Sequence, residues 1–166
     1  MKLERKRQGV FIDRGFGFPV ELRNVPMVLV RGSWTPDIDL DRLEQLLLHA
    51  LVFKPCRLTG DEVRFIRTSL ALTLQQFAAR FNVSHPAVMK WERRGTRATA
   101  MDWATEKDIR LELLHRAHVK PASFVDAYGS LATAMPPGPQ QLTALEVGTT
   151  LKPSAGRRRT NAAARG

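Results

Sequence analysis

LTGDEVRFIRTSLALTLQQFAARFNVSHPAVMKWERRG, running from Leu58 to Gly95, decides the reading of this chain. Thr59 stands before an apolar set, Val63, Ile66 and Leu70, spaced i, i+3 and i+7, and Glu62 follows it by three residues. That is the capping-box pattern of a helix start, in which hydroxyl and carboxylate satisfy each other's backbone N–H groups. Leu72-Thr73 restarts the chain, and Thr73 caps a second helix, Leu74–Phe81, with Phe77, Ala78 and Phe81 facing inward. Asn82 tolerates the left-handed conformation that a tight turn between helices demands. Val83 is an apolar plug and Ser84 is the next cap. Pro86 falls in the first turn of the third helix, where its missing N–H costs little. Val88 and Trp91 face the core, so His85, Ala87, Met89, Lys90 and Arg93 or Arg94 are turned elsewhere. Two short helices, a tight turn and a third helix, with small Ala78 at the close approach, spell a helix-turn-helix.

Working outward, VFID, PVELRN and MVLVR within Val10–Arg31 read as short strands. GFG and Asn24–Pro26 read as the turns between them. Leu40–Phe53 has Leu43, Leu46, Leu47, Ala50 and Leu51 at helical spacing, with Pro55 beyond its end. On the other side, Thr105 and Asp108 read as a capping box for a helix Thr105–Ala117, and Ser123–Ala134 as one more short helix. MPPGPQQ breaks regular structure, and Lys152–Gly166 reads as a disordered basic tail. The expected organisation is a strand-plus-helix segment over residues 1–55 for dimerisation or partner binding, and a helix-turn-helix domain over 56–120. An accessory helix over 121–135 follows, then a linker and tail over 136–166. The expected fold class is mainly α.

The chain has 166 residues, with 26 Lys and Arg against 16 Asp and Glu, a formal net charge of +10. Such a surplus points to a polyanionic partner, nucleic acid first. The basic residues are uneven: residues 59–97 hold seven against three acids, whereas Ser33–Leu51 has Asp37, Asp39, Asp41 and Glu44 against Arg42 alone. A single cysteine, Cys56, excludes an intramolecular disulfide framework and fits a reducing compartment. No apolar run approaches membrane-spanning length, so a soluble cytoplasmic protein is expected.

Enzyme chemistry finds no support, because no nucleophile–base set, metal cluster or nucleotide loop is present. Gly15-Phe16-Gly17-Phe18 lacks the Gly-Lys-Ser/Thr of a phosphate loop and reads as a hairpin bend. Asp37, Asp39 and Asp41 imitate the start of a calcium loop, but Arg42 stands where Gly is needed and Leu48 where the closing acid belongs. His49, His85, His115 and His118 form no metal motif. Neither cofactor nor metal is expected.

The central block resembles the lambda-repressor/Cro-like (Xre-type) helix-turn-helix family. The likeness is carried by Arg67, Leu70, Leu72, Thr73, Phe77-Ala78, Asn82-Val83-Ser84, Val88, Trp91-Glu92 and Gly95. It implies a lambda-repressor-like helical bundle with an ion pair between Arg67 and Glu92. It further implies base readers at His85, Pro86, Met89 and Lys90, and a phosphate contact at Ser84. Leu74 departs from the family pattern, which has a phosphate-binding Gln there; Gln75 stands beside it. The chain is also similar to MqsA-like antitoxins, without the paired cysteines of their zinc-binding half.

The resulting expectation is a sequence-specific DNA-binding repressor acting as a homodimer. His85 and Lys90 approach base edges, while Gln75, Ser84, Arg93, Arg94 and Arg97 hold the backbone. The Arg157-Arg158-Arg159 run adds phosphate affinity. The competing class is an antitoxin that binds a protein toxin and regulates its own promoter.

Overall fold

A computed structural model describes residues 3–117 and 120–148. Its first elements are an antiparallel hairpin, β1 (Arg5–Asp13) and β2 (Val20–Val30), closed by a turn in which Gly17 takes φ 92° and Asp13 accepts the Gly15 N–H at 2.6 Å. Phe16 and Phe18, in this turn, pack edge-on against Phe65. The Asn24–Pro26 stretch, expected to separate two strands, lies inside β2. Asn24 does adopt a left-handed φ of 56°, yet the pairing with β1 keeps one register on both sides of it. The left-handed residue reverses the alternation instead: Val20 and Leu22 are buried before it, Val25 and Met27 after it.

β2 is the centre of the sheet. β1 covers one of its edges. The other is shared by β3 (Ser33–Pro36), antiparallel to Met27–Val30, and β4 (Thr143–Glu146), parallel to Val20–Arg23. β4 lies in the segment expected to be linker. Its Leu145 and the adjacent Val147 are buried in the common core beneath α1 (Leu40–Val52). The expectation of a mainly α protein is therefore overturned. Among the described residues helix accounts for 43% and strand for 21%, with one four-stranded sheet and six helices, a mixed α/β fold. The N-terminal strands are not an appendage, because a distant C-terminal strand completes their sheet.

Asp39 caps α1 by accepting from the Asp41 and Arg42 N–H groups, and Leu43, Leu47, Leu51 and Val52 face the core. α2 (Gly60–Ser69), α3 (Leu74–Arg80) and α4 (His85–Glu92) follow. α5 (Trp103–Arg116) starts earlier than the sequence suggested: Asp102 is its cap, accepting the Thr105 N–H at 2.9 Å, so Thr105 is three residues inside the helix. α6 (Pro121–Ser130) is shorter than expected at its C-terminal end. No helix among the described residues is long and apolar enough to cross a membrane.

A buried ionic centre joins these parts. Glu106 and Arg110, one turn apart on α5, are both fully buried. Glu106 accepts from Arg57 Nε at 2.7 Å, from the Leu58 N–H at 3.0 Å and from Arg110 at 2.8 Å. Arg110 also donates to the carbonyls of Val52, Lys54 and Cys56. One side chain thus gathers the carbonyls that leave the end of α1, groups that would otherwise be desolvated without partners. Beside it, Lys54 Nζ lies 2.8 Å from both Glu62 oxygens and 2.7 Å from Gln140 Oε1. That contact fixes the C-terminal strap leading to β4.

Candidate nucleic-acid interface

The three helices α2, α3 and α4 are each started by a side-chain cap. Thr59 and Glu62 form a reciprocal capping box on α2, and Thr73 and Gln76 form another on α3. Ser84 Oγ accepts the Ala87 N–H at 3.2 Å to start α4, with Pro86 in the first turn. Asn82 takes φ 52° in the turn between α3 and α4, where the Val83 N–H bonds back to the Ala78 carbonyl at 2.9 Å. Between α2 and α3 the left-handed position belongs to Ala71, φ 55°. Phe77, Ala78, Phe81, Val88 and Trp91 are buried between the helices.

Burying one side of α4 leaves the other in solvent. Pro86, Lys90 and Arg93 are exposed, His85 and Met89 are half-buried, and Ser84 is exposed at the helix start. Gln75, in the first turn of α3, is exposed as well. Arg97 is exposed in the loop that follows α4. Arg94 is half-buried, and its Nε donates to the Ala98 carbonyl at 3.0 Å, so part of its guanidinium closes that loop. Gln75, Ser84, His85 and Pro86 therefore lie at two adjoining helix starts, with Met89 and Lys90 further along α4 and Arg93 and Arg97 at and beyond its far end. Two helix N-termini with exposed polar side chains and a row of cations make this a positively polarised surface.

The orientation of α4 is held by charge. Arg67 Nε donates to Glu92 Oε1 at 2.6 Å and its second nitrogen to Oε2 at 3.2 Å, while its third reaches the Leu72 carbonyl at 3.0 Å. Glu92 is 6% exposed, so this fork ties the last turn of α4 to α2 in a largely dry setting. Arg64, which the sequence reading passed over, adds a weaker contact to the same carboxylate at 3.3 Å and stays mostly in solvent. The end of α4 is pinned from a second side. The Gly60 and Asp61 N–H groups donate to the Arg97 and Gly95 carbonyls. A Cβ at Gly60 would run into the Trp91 carbonyl and stand 2.8 Å from the Gly95 nitrogen and 2.9 Å from the Glu92 carbonyl.

α3 is braced separately by Arg80, which ion-pairs with Glu112 on α5; Arg116 reaches the same carboxylate at 2.9 Å. Burial alone would raise the Glu112 carboxyl, but bonds from Arg80 and Arg116 outweigh it and hold the group below its ordinary value. The Arg80 guanidinium is correspondingly raised, chiefly by its hydrogen bond to Glu112. Asp102, accepting from the Thr105 N–H, is also held low.

Neither Glu106–Arg110 nor Arg80–Glu112 was singled out from sequence. An acid and a base four residues apart on a helix ordinarily mean a solvated pair, and nothing local reports that α1 buries this one. The basic tail Lys152–Gly166, with Arg157, Arg158 and Arg159, and His118 lie outside the described residues. Among those described, no group of three or more His, Cys, Asp or Glu is placed to hold a metal ion. No protein-family description, curated protein or solved structure matches the chain.

Proposed function

We propose that the chain binds double-stranded DNA in a sequence-specific manner as a homodimer and represses transcription, working in the cytoplasm of a bacterial-type cell. The observation that carries this reading is the braced α4. Its inner side is committed to Val88 and Trp91, its end is locked by Arg67–Glu92, and its outer side offers Lys90, Arg93, His85 and Met89 to solvent. A rigid helix with a cationic, uncommitted side suits the major groove, which admits a helix and presents a distinct donor and acceptor pattern for each base pair.

In this arrangement Lys90 donates to guanine acceptors, His85 reaches base edges, and Met89 and Pro86 supply apolar contact. Gln75, Ser84, Arg93 and Arg97 hold phosphates, with Arg94 supporting the loop. One domain of this kind reads only a few base pairs, so two copies on half-sites about 34 Å apart are expected. The test is titration of the protein against fragments of its own promoter region, with random DNA as competitor, at two salt concentrations. Tight binding to one fragment, with a two-fold repeat in the footprint, supports the proposal. Equal binding to every fragment that collapses as salt rises refutes it, leaving only charge attraction.

A further inference from the structure

We infer that the outer edge of β1 pairs with β1 of a second copy, antiparallel, about a two-fold axis between Gln8 and Gly9. This names the contact behind the proposed dimer, and it rests on the DNA-binding reading only for the expectation of two copies.

β1 pairs with β2 along one edge, and among the described residues no strand lies along the other. Which backbone groups that free edge presents follows from two hydrogen bonds. The Leu29 N–H donates to the Glu4 carbonyl at 3.0 Å, so Glu4, and by alternation Lys6 and Gln8, turn toward β2. Arg5 and Arg7 then turn outward. Beyond the left-handed Asn24 the alternation is reversed. The Arg23 carbonyl accepts from the Val147 N–H at 3.1 Å, on the side of β4, so Val10, the partner of Arg23, is not bonded to β2. Val10 and Ile12 therefore turn outward too. The Gln8 side chain donates to the Val10 carbonyl at 2.9 Å, as an outward-facing group permits.

The outward set is Arg5, Arg7, Val10 and Ile12, odd positions before the break and even ones after it. A regular strand matches only half of such an edge. A second β1, reversed, matches all of it: Arg5 meets Ile12, Arg7 meets Val10, and the two breaks coincide. The charges favour this direction over the parallel one. An antiparallel pair sets the Arg5-Lys6-Arg7 ends apart and brings Asp13 of the other copy diagonal to Lys6 as well as opposite Glu4, whereas a parallel pair stacks the basic ends on each other. Val10 and Ile12, 52% and 40% exposed, would lie under the aliphatic stems of the opposing arginines.

The test is the oligomeric state of the full chain without DNA, by sedimentation and light scattering across a dilution series. Val10→Pro removes an N–H that β2 does not use, in both copies, and is expected to weaken the dimer about tenfold or more. A wild-type chain that is monomeric throughout overturns the inference, and so does a folded Val10→Pro variant that dimerises as wild type does. In case that variant fails to fold, Arg5→Cys with Ile12→Cys provides an independent readout. Mild oxidation should give a covalent dimer, whereas Arg5→Cys with Val10→Cys should not. Absence of the first product, or equal yield from both, overturns the pairing. A dimer with these properties that retards no DNA leaves the edge standing and refutes the DNA reading. An operator-binding dimer indifferent to Val10→Pro does the reverse.

Discussion

Replacing Glu106 by Ala tests the claim that buried charge, as well as apolar packing, holds this fold together. The carboxylate is fully buried and receives three groups: the Arg57 guanidinium, the Leu58 N–H and the Arg110 guanidinium. Without it Arg110 stays fully buried with only the Val52, Lys54 and Cys56 carbonyls to accept its bonds. Breaking a buried pair by removing one partner costs about 3–5 kcal/mol, because an uncompensated charge remains in a dry site. Domains are stable by about 5–15 kcal/mol, and for this size each kcal/mol moves the melting temperature by about 2–4 °C. A fall of roughly 6–20 °C in thermal unfolding followed by circular dichroism is the expected result. The apolar double variant Glu106→Leu with Arg110→Met should lose less than the single change, since the fully buried Arg110 charge is no longer stranded and only Arg57, which also bonds the Met101 and Met135 carbonyls, loses its carboxylate. If Glu106→Ala melts within a degree or two of wild type, the ionic centre contributes nothing and the reasoning fails.

Lys90→Ala is expected to cost about 1–3 kcal/mol on the cognate site and to relax one base position, measured by competition titration. Equal loss on cognate and random DNA would make Lys90 a phosphate contact instead. Glu112 is held below its ordinary value, so the stability it contributes is full above the unfolded carboxylate range, about pH 4.3. That stability is lost as pH falls through the lower folded value. Glu112→Gln should therefore be less stable than wild type at pH 7 and lose less on acidification, as melting curves from pH 7 to 3 would show. Ala71 holds a left-handed φ of 55°, so Ala71→Gly should raise stability by about 0.5–1 kcal/mol in urea unfolding. Gly60→Ala should destabilise despite its helical position, because the new methyl meets the backbone that ends α4. A neutral result would show that α4 yields there at no cost.

How much was legible depended on whether the signal was local. The starts of α2, α3 and α4 are marked by Thr59, Thr73 and Ser84, each a cap whose partner lies within three residues, and a linear reading finds such signals. The start of α5 was misplaced because Thr105 and Asp108 imitate a cap, although Asp102 stands ahead of Trp103 and accepts the bond. The sheet was underestimated for another reason. Asn24 and Pro26 carry turn chemistry, but here the left-handed Asn24 lies opposite Gly9 and redirects a continuous strand. β4 is beyond any local reading, since TALE is short and its partner Val20–Arg23 lies more than a hundred residues away. The side chains along α3 and α4 were legible as a helix surface. Their bracing by Arg80–Glu112 and by the Gly60 contact was not, because both partners become neighbours only in the folded chain.

The ionic centre also bears on what the fold does with its two ends. β1 belongs to the sheet, α4 belongs to the helical part, and the junction between them runs through residues 52–62. That stretch is tied by polar groups at nearly every step: the Val52, Lys54 and Cys56 carbonyls to Arg110, the Arg57 side chain to Glu106, Lys54 to Glu62. Apolar contacts tolerate small slips, because dispersion and area burial are non-directional. Hydrogen-bonded ion pairs define an angle as well as a distance. A dimer joined through β1 and reading DNA through α4 must hold the spacing of its two recognition helices to a helical turn, and an apolar hinge at residues 52–62 would blur that spacing. On this argument the Glu106→Leu, Arg110→Met protein would keep its fold and its dimer yet discriminate less sharply between operators whose half-sites differ in spacing, which separates a geometric role for the pair from a stabilising one.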